Sequence, residues 1–151
     1  MSRNAKTPAL IIRRARRTDA PRLAQLSGEL GYPTTPPEML KRLKKLAPPS
    51  QGALFVAESS EAGVIGWGHV TVNHLVEVGT RAELNGLVVA ESHRSLGAGA
   101  RLLDAIEAWA RRHGCSAMSV RSNVLRERAH KFYERQGYEH YKTQKAFRKS
   151  L

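Results

Sequence analysis

The first part of the chain combines a short apolar run with a segment of helical periodicity. Residues 9–14 are mostly apolar, which is typical of a strand. A helix is predicted next, with Thr18 as its N-cap and Gly31 just past its end. Its apolar face is Leu23, Leu26 and Leu30.

A second helix is predicted after a short polar segment. Thr35 and Glu38 have the spacing of a capping box, and prolines follow Thr35 directly, where the first helical position lies. The apolar stripe expected to be buried is Leu40, Leu43 and Leu46.

The middle of the chain reads as three strands. Residues 53–58 and 64–72 are rich in β-branched and aromatic side chains, and the short polar segment between them predicts a hairpin. Residues 82–89 form the third strand. Gly86 lies inside it, which indicates a bulge or a close approach of the backbone.

The last part predicts two helices and two strands. The helix over 99–113 has the clearest apolar face, namely Leu102, Leu103, Ile106, Trp109 and Ala110. A strand over 116–121 and a helix over 124–136 follow, and residues 138–149 alternate like a final hairpin arm. The helix face expected to point inward is Leu125, Ala129, Phe132 and Tyr133. This order of elements favours an α/β (α+β) fold with a mixed sheet and helices on both faces.

Composition narrows the class of protein. A chain of 151 residues fits one domain, expected over residues 1–151, and no segment is long and apolar enough to suggest a bilayer span. The single cysteine, Cys115, suits a reducing compartment, and the opening residues have no signal-peptide pattern. We therefore expect a cytoplasmic protein that does not enter the membrane. No spacing of metal ligands is present, so no metal site is predicted.

The formal net charge of +12 requires an account of the partners. The basic residues are scattered along the chain, and aromatic residues make up only 6%. Two explanations fit the excess of basic residues: most of them lie on the solvated surface, or some of them bind a small anionic ligand. Nucleic acid suits the sign of the charge, but the scatter and the few aromatics count against it.

The chemistry is concentrated where the third strand passes into the long helix. Gly97 and Gly99 allow a close approach of backbone to a ligand, and the helix N-terminus offers amide groups to an anion. Arg94 adds a charged fork suited to phosphate. The segment lacks the lysine of a Walker loop and the third glycine of a dinucleotide fingerprint. A plain tight turn is the alternative.

Two motifs in this chain resemble the GNAT superfamily of N-acetyltransferases. The run Arg94-Ser95-Leu96-Gly97-Ala98-Gly99 is similar to the family's Arg/Gln-x-x-Gly-x-Gly/Ala signature. The segment from Asn123 to Tyr138 resembles its second motif. The likeness covers roughly residues 10–149, with Ser95 and Glu91 departing from the commonest pattern. It implies the GNAT fold, in which the sheet is splayed between two central parallel strands.

The resemblance also implies where acetyl-CoA, the cosubstrate, binds. The phosphate loop would be Arg94, Ser95, Leu96, Gly97, Ala98, Gly99 and Ala100. The backbone of Leu87, Val88 and Val89 would pair with the pantetheine arm, and Asn123 would contact that arm. Gly86 or its neighbour would form the bulge that opens the sheet for the thioester.

Two residues are candidates for proton transfer. The family often places a general base at the position of Glu83, and alternation would put its side chain on the same face as Leu87. Tyr133 matches the family's general acid. The alternatives are a surface carboxylate for Glu83, a core aromatic for Tyr133 and a plain N-cap for Asn123. His69 and His74 carry weaker functional signals.

The resemblance implies direct acetyl transfer to a primary amine in a ternary complex. It points to the small-amine branch, which includes aminoalkylphosphonate and aminoglycoside acetyltransferases. Residues 25–46 would shape the acceptor pocket; they hold few acids, so no cage for a polycation is evident. Protein amines and a homodimer remain open. The alternative function is a non-catalytic acyl-CoA-binding sensor or regulatory domain.

Overall fold

The computed structural model describes residues 7–151. The strands are β1 (Leu10–Arg14), β2 (Gly52–Ser59), β3 (Gly63–Leu75), β4 (Gly79–Val89) and β5 (Met118–Val120). The α-helices are α1 (Ala20–Glu29), α2 (Pro36–Lys44), α3 (Ala98–Arg112) and α4 (Glu127–Arg135). Two short 3-10 helices span Arg17–Asp19 and Glu91–Leu96.

The strands form one sheet in the order β1-β2-β3-β4-β5. Every neighbouring pair is antiparallel except β4 and β5, which run parallel over Ala82–Leu84 and Met118–Val120. The predicted mixed, mostly antiparallel sheet is therefore confirmed. The parallel pair is β4 and β5, and β5 lies at the edge of this sheet rather than at its centre.

The chain forms two compact units, one ending at Val120 and the other running from Arg121 to Leu151. The first contains the whole sheet with α1, α2 and α3, and the second contains α4. A single domain over residues 1–151 stays a prediction. Its first six residues lie outside the described part of the chain.

The two faces of the sheet are covered by different helices. On one face α3 comes close because β3 carries Gly68, where an added methyl group would lie 2.5 Å from Cδ1 of Ile106. On the other face Trp67 and Val88 pack in one cluster with Leu26 of α1 and Met39 of α2. Helices on both faces, as predicted, follow from the alternation of side chains along β3.

The start of α1 differs from the prediction of an N-cap at Thr18. Residues 17–19 form a 3-10 turn, and α1 begins at Ala20. The cause is Asp19, whose carboxylate accepts hydrogen bonds from the Arg13 guanidinium at 2.9 and 3.0 Å and from the Arg16 amide at 2.7 Å. These bonds hold the preceding turn, and Thr18 is exposed within it.

The second helix begins as predicted, but its buried face differs. The Thr35 hydroxyl accepts a hydrogen bond from the Glu38 amide at 3.3 Å. The helix ends at Lys44, so Leu46 lies beyond it and is exposed. Leu40 and Leu43 are half-buried against the core, as predicted, and Met39, which the leucine spacing did not indicate, is the fully buried residue of this helix.

The predictions for the C-terminal part were partly wrong. Helix α4 begins at Glu127, three residues later than expected, so Leu125 lies before it and is exposed rather than inward. Residues 139–151 are all exposed, and in the described chain residues 138–151 form no helix or strand. A strand exists only where a neighbour completes its ladder, and alternation alone does not supply one. Within residues 7–151, no helix has the length and apolar character needed to cross a bilayer.

Candidate active site

A β-bulge interrupts the pairing of β3 with β4. His69 lies opposite Gly86 and Val70 lies opposite Leu84, so Asn85 is an extra residue on β4. The predicted bulge at Gly86 or its neighbour is therefore confirmed, with Asn85 as the inserted residue. Gly86 is required beside it because an added methyl group would lie 2.7 Å from the Trp67 ring.

The bulge changes which side chains share a face of β4. Glu83 pairs with Thr71, whereas Leu87 pairs with Gly68 on the face covered by α3. The prediction that Glu83 and Leu87 lie on one face was wrong, because the extra residue shifts the alternation by one. Glu83 instead shares the face of Trp67, His69 and Thr71, which is the face toward α1 and α2.

The bulge also marks the place where the parallel pairing stops. Strand β5 pairs with Ala82, Glu83 and Leu84. No strand in the described chain pairs with residues 85–89 on that side of β4, although β3 pairs with them on the other side. The sheet therefore opens next to Leu87, Val88 and Val89. An exposed strand edge of this kind can accept an extended, amide-bearing ligand as an added strand.

A chain of side-chain hydrogen bonds connects the bulge to Glu83. The side-chain amide of Asn85 donates to the Thr71 hydroxyl at 2.9 Å. That hydroxyl donates to the side-chain oxygen Oδ1 of Asn73 at 3.2 Å. The Asn73 amide in turn donates to Oε2 of Glu83 at 2.8 Å. The hydrogen bonds run in one direction, from Asn85 through Thr71 and Asn73 to Glu83, so the network orients the Glu83 carboxylate.

The predicted phosphate loop passes from a 3-10 helix into α3. Residues 91–96 form the 3-10 helix. Gly97 follows with φ of +72°, a backbone conformation that residues other than glycine rarely adopt. Helix α3 begins at Ala98, which is completely buried, and Leu102 and Ile106 on the same helix are also completely buried. The Glu91 amide donates to the Glu29 carboxylate at 3.1 Å, which ties the loop to α1.

This loop fits a phosphate-bearing cosubstrate. The N-terminus of a 15-residue helix presents amide groups without intrahelical acceptors and the positive end of the helix dipole. No atom lies within 4 Å of the place where a Gly97 side chain would begin, so the backbone is accessible there. Arg94 is exposed in the last turn before Gly97, so its guanidinium is open to an anion. Gly99 and Ala100 form the first turn of α3, as predicted.

Tyr133 and Asn123 belong to the second unit. The Tyr133 ring contacts the rings of Phe132 and Tyr138 edge-on, with centroids 5.3 and 5.9 Å apart. Burial raises the pKa of Tyr133 above its ordinary value, and Arg126 acts weakly in the opposite direction. The hydroxyl therefore keeps its proton at neutral pH. The Asn123 side-chain oxygen accepts a hydrogen bond from the Leu125 amide at 2.9 Å, within the turn that precedes α4.

A cavity of about 210 Å³ lies on the α1 and α2 side of the sheet. It is bounded by the end of β1, the end of α2 and the start of β2, and its lining includes Arg16, Arg17 and His69. Leu43 and Leu46 are the part of the predicted acceptor region, residues 25–46, that lines it. The sequence alone does not indicate that Arg16 and Arg17 line a cavity. The feature of the sequence that could have indicated them is the run of arginines at the end of the first apolar strand.

The two histidines of β3 differ in environment. His69 is half-buried, and burial lowers its pKa, so the imidazole is neutral at neutral pH. His74 is exposed, and its Nδ1 lies 2.7 Å from the Thr80 hydroxyl. Among the residues that the structure describes, no group of three or more histidine, cysteine or acidic side chains is placed to hold a metal ion.

The chain is similar to proteins of known type. The family model of the acetyltransferase (GNAT) family matches residues 19–138. A curated relative, aminoglycoside N(6')-acetyltransferase type 1 from Stenotrophomonas maltophilia, is 30% identical over 132 residues, which is 85% of each chain.

Two solved structures share the fold. The aminoglycoside 6'-N-acetyltransferase AAC(6')-Ih from Acinetobacter baumannii has a TM-score of 0.82 at 16% identity, with 95% of this chain and 99% of that chain covered. The aminoglycoside N-acetyltransferase AAC(6')-Iy, solved in complex with CoA, has a TM-score of 0.83 at 18% identity, with 97% and 99% covered.

The fold is a mixed α/β domain whose sheet opens beside the glycine-containing loop before α3, and the family match makes the class specific. The chain belongs to the acetyltransferase (GNAT) family. It is an acetyl-CoA-dependent N-acetyltransferase that transfers the acetyl group to an amine. The alternative of a non-catalytic acyl-CoA-binding domain finds no support among these relatives.

Proposed function

We propose that the enzyme acetylates a small-molecule primary amine, with Glu83 as the general base and Tyr133 as the general acid. The observation that carries this proposal is the bulge at Asn85. It turns the Glu83 side chain toward α1 and α2 at the point where pairing between β4 and β5 ends. Relatives named as aminoglycoside acetyltransferases support a small amine as the acceptor.

The cosubstrate would be held by the two elements that flank this opening. The amide groups around Gly97 and the Arg94 guanidinium would bind the phosphates, with Ser95 to Ala100 forming the loop. The edge of Leu87, Val88 and Val89 would pair with the amide-bearing arm, and Asn123 would contact it. Acetyl-CoA supplies the thioester acyl group when it is bound.

The protein residues would move two protons. An amine attacks only as the neutral base, so Glu83 would accept a proton from the acceptor nitrogen, directly or through water. The Asn73 amide holds Oε2 of Glu83, which orients the carboxylate for this transfer. Tyr133 Oη would hold the proton that a leaving thiolate needs. Its raised pKa supports this role because the hydroxyl stays protonated at neutral pH.

The test is the pH dependence of the rate in Glu83→Gln. This substitution keeps the shape and removes the basicity, so the rise of rate with pH that belongs to the base should disappear. High pH should partly rescue the variant because the free amine no longer needs the base. Glu77→Gln is the matched control, since Glu77 is exposed in the turn between β3 and β4. A Glu83→Gln enzyme with the wild-type profile would contradict the proposal.

The single cysteine, Cys115, is a buried free thiol, which supports a reducing compartment such as the cytoplasm. A homodimer stays a prediction.

A further inference from the structure

The tryptophan of β3 reaches across the ladder to the bulge. Trp67 pairs with Val88, and its ring extends beyond that partner toward Gly86. A methyl group added at Gly86 would lie 2.7 Å from Cζ3 and 2.8 Å from Cη2 of the ring. Large aromatic side chains can reach a diagonal neighbour of this kind in an antiparallel pair. The far edge of the indole therefore covers Gly86, on the face toward α1 and α2.

The ring is one wall of a space above Gly86 that is partly open. Leu30, at the end of α1, is the next nearest side chain, and its Cδ2 lies 4.0 Å from the same added methyl group. Trp67, Leu30 and Gly86 are all half-buried, whereas Val56, the partner of Trp67 on β2, is completely buried. Solvent therefore reaches the sheet surface on the Gly86 side of the ring.

This space lies where the proposed function puts the thioester. The pairing of β5 with β4 ends at Leu84, so the edge of β4 is open beyond that residue. Gly86 pairs with His69 and Glu83 pairs with Thr71, so Gly86 and Glu83 are about 7 Å apart along the ladder. An acyl carbon that an amine attacks beside Glu83 therefore lies next to the edge of the indole.

We propose that the Trp67 ring limits the length of the acyl group and thereby selects acetyl-CoA over thioesters of longer acids. The inference rests on the proposed function, which places the acyl group beside Glu83. A two-carbon acyl group ends at the ring, and each further methylene would have to displace it. The ring resists displacement because it packs against the cluster that contains Leu26 and Met39.

The test measures binding, which requires neither an acceptor nor a base. Calorimetric titration would give the Kd of the wild-type protein for acetyl-CoA, propionyl-CoA and butyryl-CoA. We expect butyryl-CoA to bind more weakly than acetyl-CoA by about tenfold or more, because a single methylene in a fitted pocket changes binding by about 10–200-fold. Propionyl-CoA should lie between them. Equal affinities of the wild type for all three thioesters would overturn the proposal.

Trp67→Leu should remove most of this discrimination because it opens space beside Gly86. We expect the ratio of the Kd for butyryl-CoA to the Kd for acetyl-CoA to fall about tenfold. Trp109→Leu is the matched control, since Trp109 is a completely buried tryptophan of α3, the helix on the other face of the sheet. Its ratio should equal that of the wild type. An unchanged ratio in Trp67→Leu would overturn the proposal, and so would the same fall in both variants.

A milder substitution serves if thermal unfolding shows that Trp67→Leu does not fold. Trp67→Phe keeps an aromatic ring in the cluster but shortens it, so its ratio should fall below that of the wild type. A Trp67→Phe ratio at the wild-type value would then overturn the proposal.

The outcome is separate from the assignment of the base. If Trp67→Leu binds butyryl-CoA well but Glu83→Gln keeps the wild-type pH profile, the role of Trp67 stands and the role of Glu83 fails. If Glu83→Gln loses the rise of rate with pH but Trp67→Leu keeps the wild-type ratio, the base stands and the role of Trp67 fails.

Discussion

Two regions of the first unit are built in opposite ways. The loop before α3 presents backbone: Gly97 contributes no side chain, and the helix supplies amide groups. The face that carries Glu83 is built from side chains, with Asn85, Thr71 and Asn73 joined in one hydrogen-bonded chain. A site built from backbone is disturbed by substitutions that change its conformation or fill its space. A site built from side chains is disturbed by substitutions that remove a single hydrogen-bonding atom.

The largest effect is expected from a side chain of the second unit, through the loss of one oxygen atom. Tyr133→Phe keeps the ring and its edge-on contacts with Phe132 and Tyr138 but removes the proton donor. Turnover should fall by about 10²–10⁴-fold, with acetyl-CoA affinity nearly unchanged. Steady-state kinetics and calorimetry would measure the two quantities. Tyr141→Phe in the exposed tail is the control, and unchanged turnover would assign Tyr133 to packing.

The backbone-built loop should respond to added charge and bulk. Gly97→Glu should weaken acetyl-CoA binding by about 100-fold, because it places a negative charge where phosphates bind and a side chain at φ of +72°. Gly114 is the matched control, since it lies at the other end of α3 with φ of +78°. Gly114→Glu should cost similar stability and leave the affinity intact. Equal affinities in the two variants, measured by calorimetry, would place the phosphates elsewhere.

A smaller effect is expected from the interior of the hydrogen-bonded chain. Thr71→Val keeps the shape but removes the hydroxyl that connects Asn85 to Asn73. We expect kcat/KM for the amine to fall about fivefold, with KM for acetyl-CoA unchanged. Thr80→Val removes a hydroxyl from the same ladder that contacts His74 instead. If both variants behave alike, the chain does not orient Glu83.

The smallest effect concerns an ion pair outside both regions. Arg13 holds the pKa of Asp19 below its ordinary value, chiefly through their hydrogen bonds. The stabilisation is therefore present above the unfolded pKa of about 4 and is lost as pH falls through the folded value. Asp19→Asn should lower stability at pH 7 by about 1–2 kcal/mol and flatten the acid limb of the stability curve. Thermal unfolding from pH 2 to 7 would measure this, with exposed Asp104→Asn as the control.

The sequence predicted the backbone-built region better than the side-chain region, for a physical reason. The signals for the loop are local: a strand, two glycines and an amphipathic helix whose predicted face, from Leu102 to Ala110, is buried. The surroundings of Glu83 depend on partners on another strand. Thr71 and Asn73 become neighbours of Glu83 only through the β3–β4 register, and the inserted Asn85 changes that register in a way that alternation cannot reveal.

The same distinction explains the errors elsewhere. Leu125 and Leu46 fit helical spacing, but each lies outside the helix that forms, because the ends depend on capping and on the residues beyond. Residues 138–149 alternate as a strand would, yet pairing requires a partner that the sequence cannot specify. Arg17 and His69 line one cavity although 52 positions separate them along the chain.

The single extra residue at Asn85 also limits how this strand can evolve. Deleting one residue there would bring Glu83 into the phase of Leu87 and turn its carboxylate toward α3. Alternatively, Glu83 would keep its place, and the side chains from Leu87 to Val89 would each move to the opposite face of the sheet. The first outcome removes Glu83 from the candidate active site, and the second disrupts the packing of the core. Asn85 is therefore a position at which the number of residues matters as well as the side chain, and we expect insertions and deletions to be absent there.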